Sequence, residues 1–153
     1  ETVLISCEES TEESSTNIQE RGLITKSMEH DGITRTYIIY IPNSYDESIE
    51  HPLMFNFHGF GGRAADFVYA ADMRSQADRD KFIIVYPQGS LLGGFPHWNS
   101  SGPSPDNKSS ADDIGFVEQL ITKISMDYSV NSDRIYAAGF SNGGFFSYYL
   151  ACN

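Results

Sequence analysis

Six residues constrain this chain most: Gly139-Phe140-Ser141-Asn142-Gly143-Gly144. The apolar run Arg134-Ile135-Tyr136-Ala137-Ala138 precedes them, and Phe145-Phe146-Ser147-Tyr148-Tyr149-Leu150 follows. The pattern reads as a strand, a G-x-S-x-G turn and a helix. Such a turn needs glycine on both sides of the serine, because strand and helix pack close against it. The strained backbone lifts the serine hydroxyl to the top of a sheet, at a helix N-terminus that favours negative charge. A glycine-rich turn with an ordinary surface serine is the other reading of the pentapeptide. The spacing predicts a strand over 134–140, Ser141 in a sharp turn, and a helix starting within two residues of it.

A second glycine-rich turn, His58-Gly59-Phe60-Gly61-Gly62, closes the apolar run Leu53-Met54-Phe55-Asn56-Phe57. Glycines let such a loop bring its backbone close to a bound molecule. If both turns lie at one end of a parallel sheet, the backbone N–H groups of Phe60 and Asn142 are candidate oxyanion-hole donors. The alternative is a plain β–α turn in which His58 is structural.

Between and before these motifs the pattern is that of an α/β chain. Leu23 to His30, Asp31-Gly32 and Ile33 to Ile41 read as an antiparallel hairpin, with the D-G pair supplying the positive φ angles of a tight turn. Pro42 to Pro52 reads as a loop, and residues 63–79 as one helix. Phe82 to Tyr86 reads as a buried strand stopped by Pro87. Gln88 to Ser109 is a long Gly-, Pro- and Ser-rich loop. Ser110-Ala111-Asp112-Asp113 fits a capping box in which Asp113 reaches back to the first turn. Ile114, Val117, Leu120, Ile121 and Ile124 then recur on one helical face. Asn131-Ser132-Asp133 reads as the turn into the last strand. Strands alternating with helices imply a parallel core with flanking helices.

Composition narrows the partners. The net charge is −11, and residues 1–20 hold six glutamates with no Lys or Arg. That segment is expected to be an acidic, disordered leader or tether, with residues 21–153 as the folded domain. An acidic chain without a basic stripe argues against nucleic-acid binding. Of the two cysteines, Cys152 reads as a small buried residue on the last helix. Leu4-Ile5-Ser6-Cys7 resembles the end of a bacterial lipoprotein signal, which implies a lipid anchor at Cys7 and a secreted or cell-surface location. An incidental Cys in the leader is the other reading. No grouping of residues implies a metal or an organic cofactor.

Taken together, His58-Gly59-Phe60-Gly61-Gly62, Tyr86-Pro87-Gln88-Gly89, Trp98-Asn99, Asp112-Asp113-Ile114-Gly115-Phe116, Arg134-Ile135-Tyr136, the Ser141 turn and Leu150-Ala151-Cys152 resemble a known family. The chain is similar to the α/β-hydrolase esterases grouped around polyhydroxybutyrate depolymerases and feruloyl or acetylxylan esterases. The resemblance covers about residues 25–153. It implies that Ser141 is the nucleophile and that the substrate is a carboxylic ester on a polymer or a plant cell-wall sugar. It also places Trp98 and Asn99 in a loop beside the active site, Trp98 shaping that loop or contacting substrate.

The sequence departs from the family pattern after the nucleophile. On this fold the triad acid and histidine follow the serine, yet Asn142 to Asn153 contains neither. The chain is therefore expected to be the N-terminal part of the fold, lacking later strands, nearly inactive alone and able to self-associate through an exposed sheet edge. His30, at a hairpin turn, and His51 and His97, in loops beside prolines, are not promoted to general base. Neither is His58. A prolyl-oligopeptidase-like peptidase and a non-catalytic truncated domain remain the alternatives.

Overall fold

A computed structural model describes residues 20–102 and 109–153. Residues 1–19 of the leader, Cys7 among them, lie outside the described residues. The chain opens with β1 (Gly22–His30) and β2 (Ile33–Ile41), paired antiparallel across Asp31 and Gly32 at φ 50° and 73°. These angles are those the D-G pair predicts. Next come β3 (His51–Phe57), β4 (Ile83–Pro87) and, near the end, β7 (Val130–Gly139). The five strands form one sheet in the order β1-β2-β4-β3-β7, with β3 parallel to both β4 and β7. This is the expected antiparallel hairpin leading into a parallel core.

Leu53, Phe55 and Phe57 of β3 and Ile83 and Val85 of β4 are fully buried. They form a core with Phe116, Leu120 and Ile124 of α3 (Asp113–Asp127) and Phe146 of α4 (Asn142–Ala151). A smaller cluster of Tyr40, Val68, Ile84 and Tyr86 covers the other face. β7 bounds the sheet among the described residues. Beside it lie two apolar grooves. One is lined by Phe55, Val117, Ile121, Ile135 and Leu150. The other is lined by Pro52, Met54, Phe82 and Tyr136.

Several local expectations need correction. The single helix over 63–79 is two, α1 (Ala64–Ala70) and α2 (Arg74–Asp80). The Ala71 carbonyl is taken by the Tyr86 hydroxyl at 3.1 Å, and the Asp72 carboxylate accepts from the Arg74 N–H at 3.0 Å, which starts a new helix. The 88–109 loop contains a small hairpin, β5 (Ser90–Leu92) with β6 (Phe95–His97). The capping residue of α3 is Asp112, whose side chain accepts from the Gly115 N–H at 3.0 Å; Asp113 is buried elsewhere. The 131–133 turn is an irregularity inside β7: the chain advances two positions from His51 to Leu53 on β3 while it advances five from Val130 to Ile135. Cys152 is exposed, because it lies past the last turn of α4, off the packed face.

His51 and His97 are strand residues, not loop residues, and both are buried. His51 stacks on Tyr45 with its Nδ1 2.8 Å from the Lys81 carbonyl. His97 Nδ1 lies 2.9 Å from the Ser90 carbonyl. His30 ends β1 as expected, with Nε2 3.3 Å from Asp112 Oδ2.

Candidate active site

β7 ends at Gly139 and α4 begins at Asn142, so Ser141 occupies the turn between them at φ 50° and ψ −117°. A non-glycine residue with positive φ is rare and strained. The strain is imposed by packing. A Cβ at Gly139 would lie 2.4 Å from the Gly143 backbone, and one at Gly143 only 2.2 Å from the Phe57 carbonyl oxygen. Only hydrogen fits at these two positions, so helix and strand close tightly and the residue between them must turn sharply. The Phe140 N–H donates to the Phe57 carbonyl at 3.0 Å, which fixes the turn to the end of β3.

The loop after β3 leaves from that same point. The position a Gly59 Cβ would occupy is 3.5 Å from the Ser141 Cβ and 3.1 Å from the Phe140 ring. The two glycine-rich turns are therefore in contact. The Gly59 carbonyl is held twice, by the Gly62 N–H at 2.9 Å and by His58 Nδ1 at 2.7 Å. A trans peptide sets its N–H opposite its carbonyl, so pinning the Gly59 oxygen also orients the Phe60 N–H.

His58 is a framework residue. Its Nε2 accepts from the Gly89 N–H at 3.0 Å, so the ring proton sits on Nδ1 and donates to Gly59. The Gln88 amide nitrogen lies 3.0 Å from the same Nε2, and the Gln88 Oε1 accepts from the Ala64 N–H at 2.9 Å. Burial pushes the imidazole below its ordinary range, keeping it neutral. Among the described residues, no histidine or carboxylate hydrogen-bonds the Ser141 hydroxyl, and no three His, Cys, Asp or Glu side chains gather as a metal cage.

Trp98 is buried against the base of the two turns. It is 2% exposed, stacked on Phe146 at 5.2 Å and edge-on to Phe57 at 5.1 Å, and its indole N–H donates to the His58 carbonyl at 3.1 Å. Its ring and its indole N–H are thus engaged within the protein. Its backbone is clasped by Asn142: the Trp98 N–H donates to Asn142 Oδ1 at 2.8 Å, and Asn142 Nδ2 donates to the Trp98 carbonyl at 2.9 Å. The Asn142 side chain was not singled out by the sequence reading, which used only its backbone. Exposed aromatic rings rim the site: Phe140, and Phe60 stacked with Phe95 at 5.8 Å.

Comparison with known proteins gives the same fold. No family model matches the sequence. Feruloyl esterase C from Emericella nidulans is 32% identical over 126 residues, covering 77% of this chain and 41% of that protein. Feruloyl esterase B from Piromyces equi is 30% identical over 118 residues, covering 77% of this chain and 21% of that protein. The chain thus spans less than half the length of these curated relatives. Among solved structures, the acetyl xylan esterase from Aspergillus awamori superposes with a TM-score of 0.63 at 17% identity, covering 84% of this chain and 46% of that one. With its strand order and these solved neighbours, the chain has the α/β-hydrolase fold, and in sequence it is similar to feruloyl esterases.

Proposed function

We propose that this chain carries the nucleophile and oxyanion-hole portion of a serine carboxylic-ester hydrolase acting on plant cell-wall esters. One observation carries the reading: Ser141 sits at positive φ on a strand–helix turn, with the Gly59 loop against it. Ser141 Oγ attacks the ester carbonyl while a general base takes its proton. The N–H groups of Phe60 and Asn142 hold the oxyanion, each worth about 3 kcal/mol in the transition state. The tetrahedral intermediate expels the alcohol, which takes up the proton. Water then releases the acid from the acyl-serine and regenerates Ser141. Among the described residues no group is placed to act as that base, so the 20–153 segment alone is expected to be nearly inactive.

The feruloyl and acetylxylan esterase names of the relatives support feruloyl or acetyl esters as the substrate class. Polyhydroxyalkanoate is the further polymer substrate to be tried, since fold alone does not choose chemistry. Hydrolysis of methyl ferulate, acetylated xylan and p-nitrophenyl acetate by the full-length protein, each abolished in Ser141→Ala, tests the reading. Cleavage of aminoacyl amides instead would establish a peptidase, and no Ser141-dependent turnover a non-catalytic domain. Export with lipidation at Cys7, and self-association through the β7 edge, complete the proposal. Metabolic lipid labelling of wild type and Cys7→Ser tests the first, and light scattering of the 20–153 segment tests the second.

A further inference from the structure

The Trp98-Asn99 segment is held from two sides by adjacent backbone N–H groups. The Trp98 N–H goes to Asn142 at the start of α4. The next one, from Asn99, goes to Asp113 Oδ2 at the start of α3, at 2.8 Å. The other oxygen of that carboxylate accepts from Arg35 Nη2 of β2 at 2.8 Å, with both side chains almost wholly buried. The guanidinium lies 3.9 Å over the Phe116 ring. Asn99 Nδ2 adds a bond to the Ala111 carbonyl at 2.8 Å, just before α3. The N-terminal ends of α3 and α4 thus meet on two loop residues, β2 reaches them through Asp113, and the loop's far side grips the residue next to Ser141.

We infer that Asp113 is a positioning residue for the reaction. Its carboxylate fixes the Trp98-Asn99 segment, and through the Asn142 clasp it fixes where the Asn142 N–H stands beside Ser141. The inference rests on the proposed role of Ser141. A buried ion pair is a poor device for stability alone, because well-packed apolar side chains of similar volume do as well or better. What apolar residues cannot replace is a charge-assisted bond that sets the loop's height. Misplacing a reacting group by about 1 Å costs on the order of 100-fold in rate.

The test uses the full-length protein. Asp113→Asn is expected to lower kcat about 10- to 100-fold with KM within about twofold. The double variant Arg35→Met/Asp113→Leu is expected to recover thermal stability but not kcat. Recovery of both would make Asp113 merely structural and overturn the inference. Should Asp113→Asn fail to fold, the double variant alone decides. Trp98 is the only tryptophan in this chain, and a Trp98→Phe control subtracts any signal arising elsewhere. Its emission is expected to move to the red and become accessible to acrylamide in both Asp113 variants. Unchanged Trp98 emission would overturn the coupling whatever the chemistry. Full activity of Ser141→Ala would instead overturn the reading on which the inference rests.

Discussion

His58 Nε2 accepts a hydrogen bond from the Gly89 N–H at 3.0 Å, so the histidine of the glycine-rich turn is a buried acceptor. An imidazole used in this way cannot also take a proton from Ser141. Protonating Nε2 would turn an acceptor into a donor facing a donor. Two consequences can be measured.

The first concerns pH. The folded pKa of His58 lies below its ordinary value of 6.5, because burial disfavours the charged ring. Between those two values the unfolded chain binds the extra proton and the folded chain does not. Stability therefore falls as pH drops. The contribution is complete above pH 6.5 and is lost as pH falls through the folded pKa. Thermal melts at pH 7.5 and 5.0 should show a smaller acid-induced drop in Tm for His58→Gln than for wild type. Identical drops would assign the acid sensitivity to other groups.

The second concerns the loop itself. Removing the ring in His58→Ala leaves the buried Gly89 N–H without its acceptor, which costs about 1–3 kcal/mol. It also frees the Gly59 carbonyl from one of its two donors. Denaturant unfolding at pH 7.5 reads the first effect. Faster amide exchange at Phe60 than in wild type reads the second.

Gly143 and Gly144 are adjacent, yet they should respond very differently to alanine. A Cβ on Gly143 would meet the Phe57 carbonyl oxygen at 2.2 Å and the His58 carbonyl oxygen at 2.5 Å, so strand and helix would have to separate. Gly143→Ala is expected to cost about 3 kcal/mol. The nearest atom to a Cβ on Gly144 is 3.1 Å away. A helical alanine there regains about 1 kcal/mol of propensity, and the variant should stay within about 1 kcal/mol of wild type. Urea midpoints compare the two directly.

Ser141 stores backbone strain that glycine would not. Ser141→Gly should be more stable than Ser141→Ala by about 1–2 kcal/mol, since only alanine retains a Cβ at φ 50°. Equal melting temperatures would show that the turn relaxes when the hydroxyl is gone.

The elbow and the opening hairpin were legible because their signals are local. Glycine placement around Ser141 and the Asp31-Gly32 pair dictate backbone angles whatever the rest of the chain does. The supports were not legible because they are tertiary. Asp113 looked like a helix cap, which is what an acid at that offset from a serine usually means. Its actual partner, Arg35, lies 78 residues away. The break near Ala71 arises because the Tyr86 hydroxyl captures its carbonyl, and no neighbour in sequence announces that. The β5–β6 hairpin did leave a mark, Gly93-Gly94 between two three-residue strands, but alternation over three residues is too short to read.

β3 and β7 remain in step from Leu53↔Ile135 to Phe57↔Gly139, and their mismatch is confined to the opposite end, between His51 and Leu53. One residue of slippage between strands is about 3.3 Å, more than the length of a hydrogen bond. Sliding β7 by that amount would carry Ser141 out of reach of the loop beside it. The irregular end therefore acts as a slack buffer. Length changes over 131–134 can be absorbed there, while the upper half of the pair behaves as a gauge block with no tolerance. Insertions and deletions among proteins sharing this pair of strands are expected to collect below Leu53 and Ile135, and to be excluded above them.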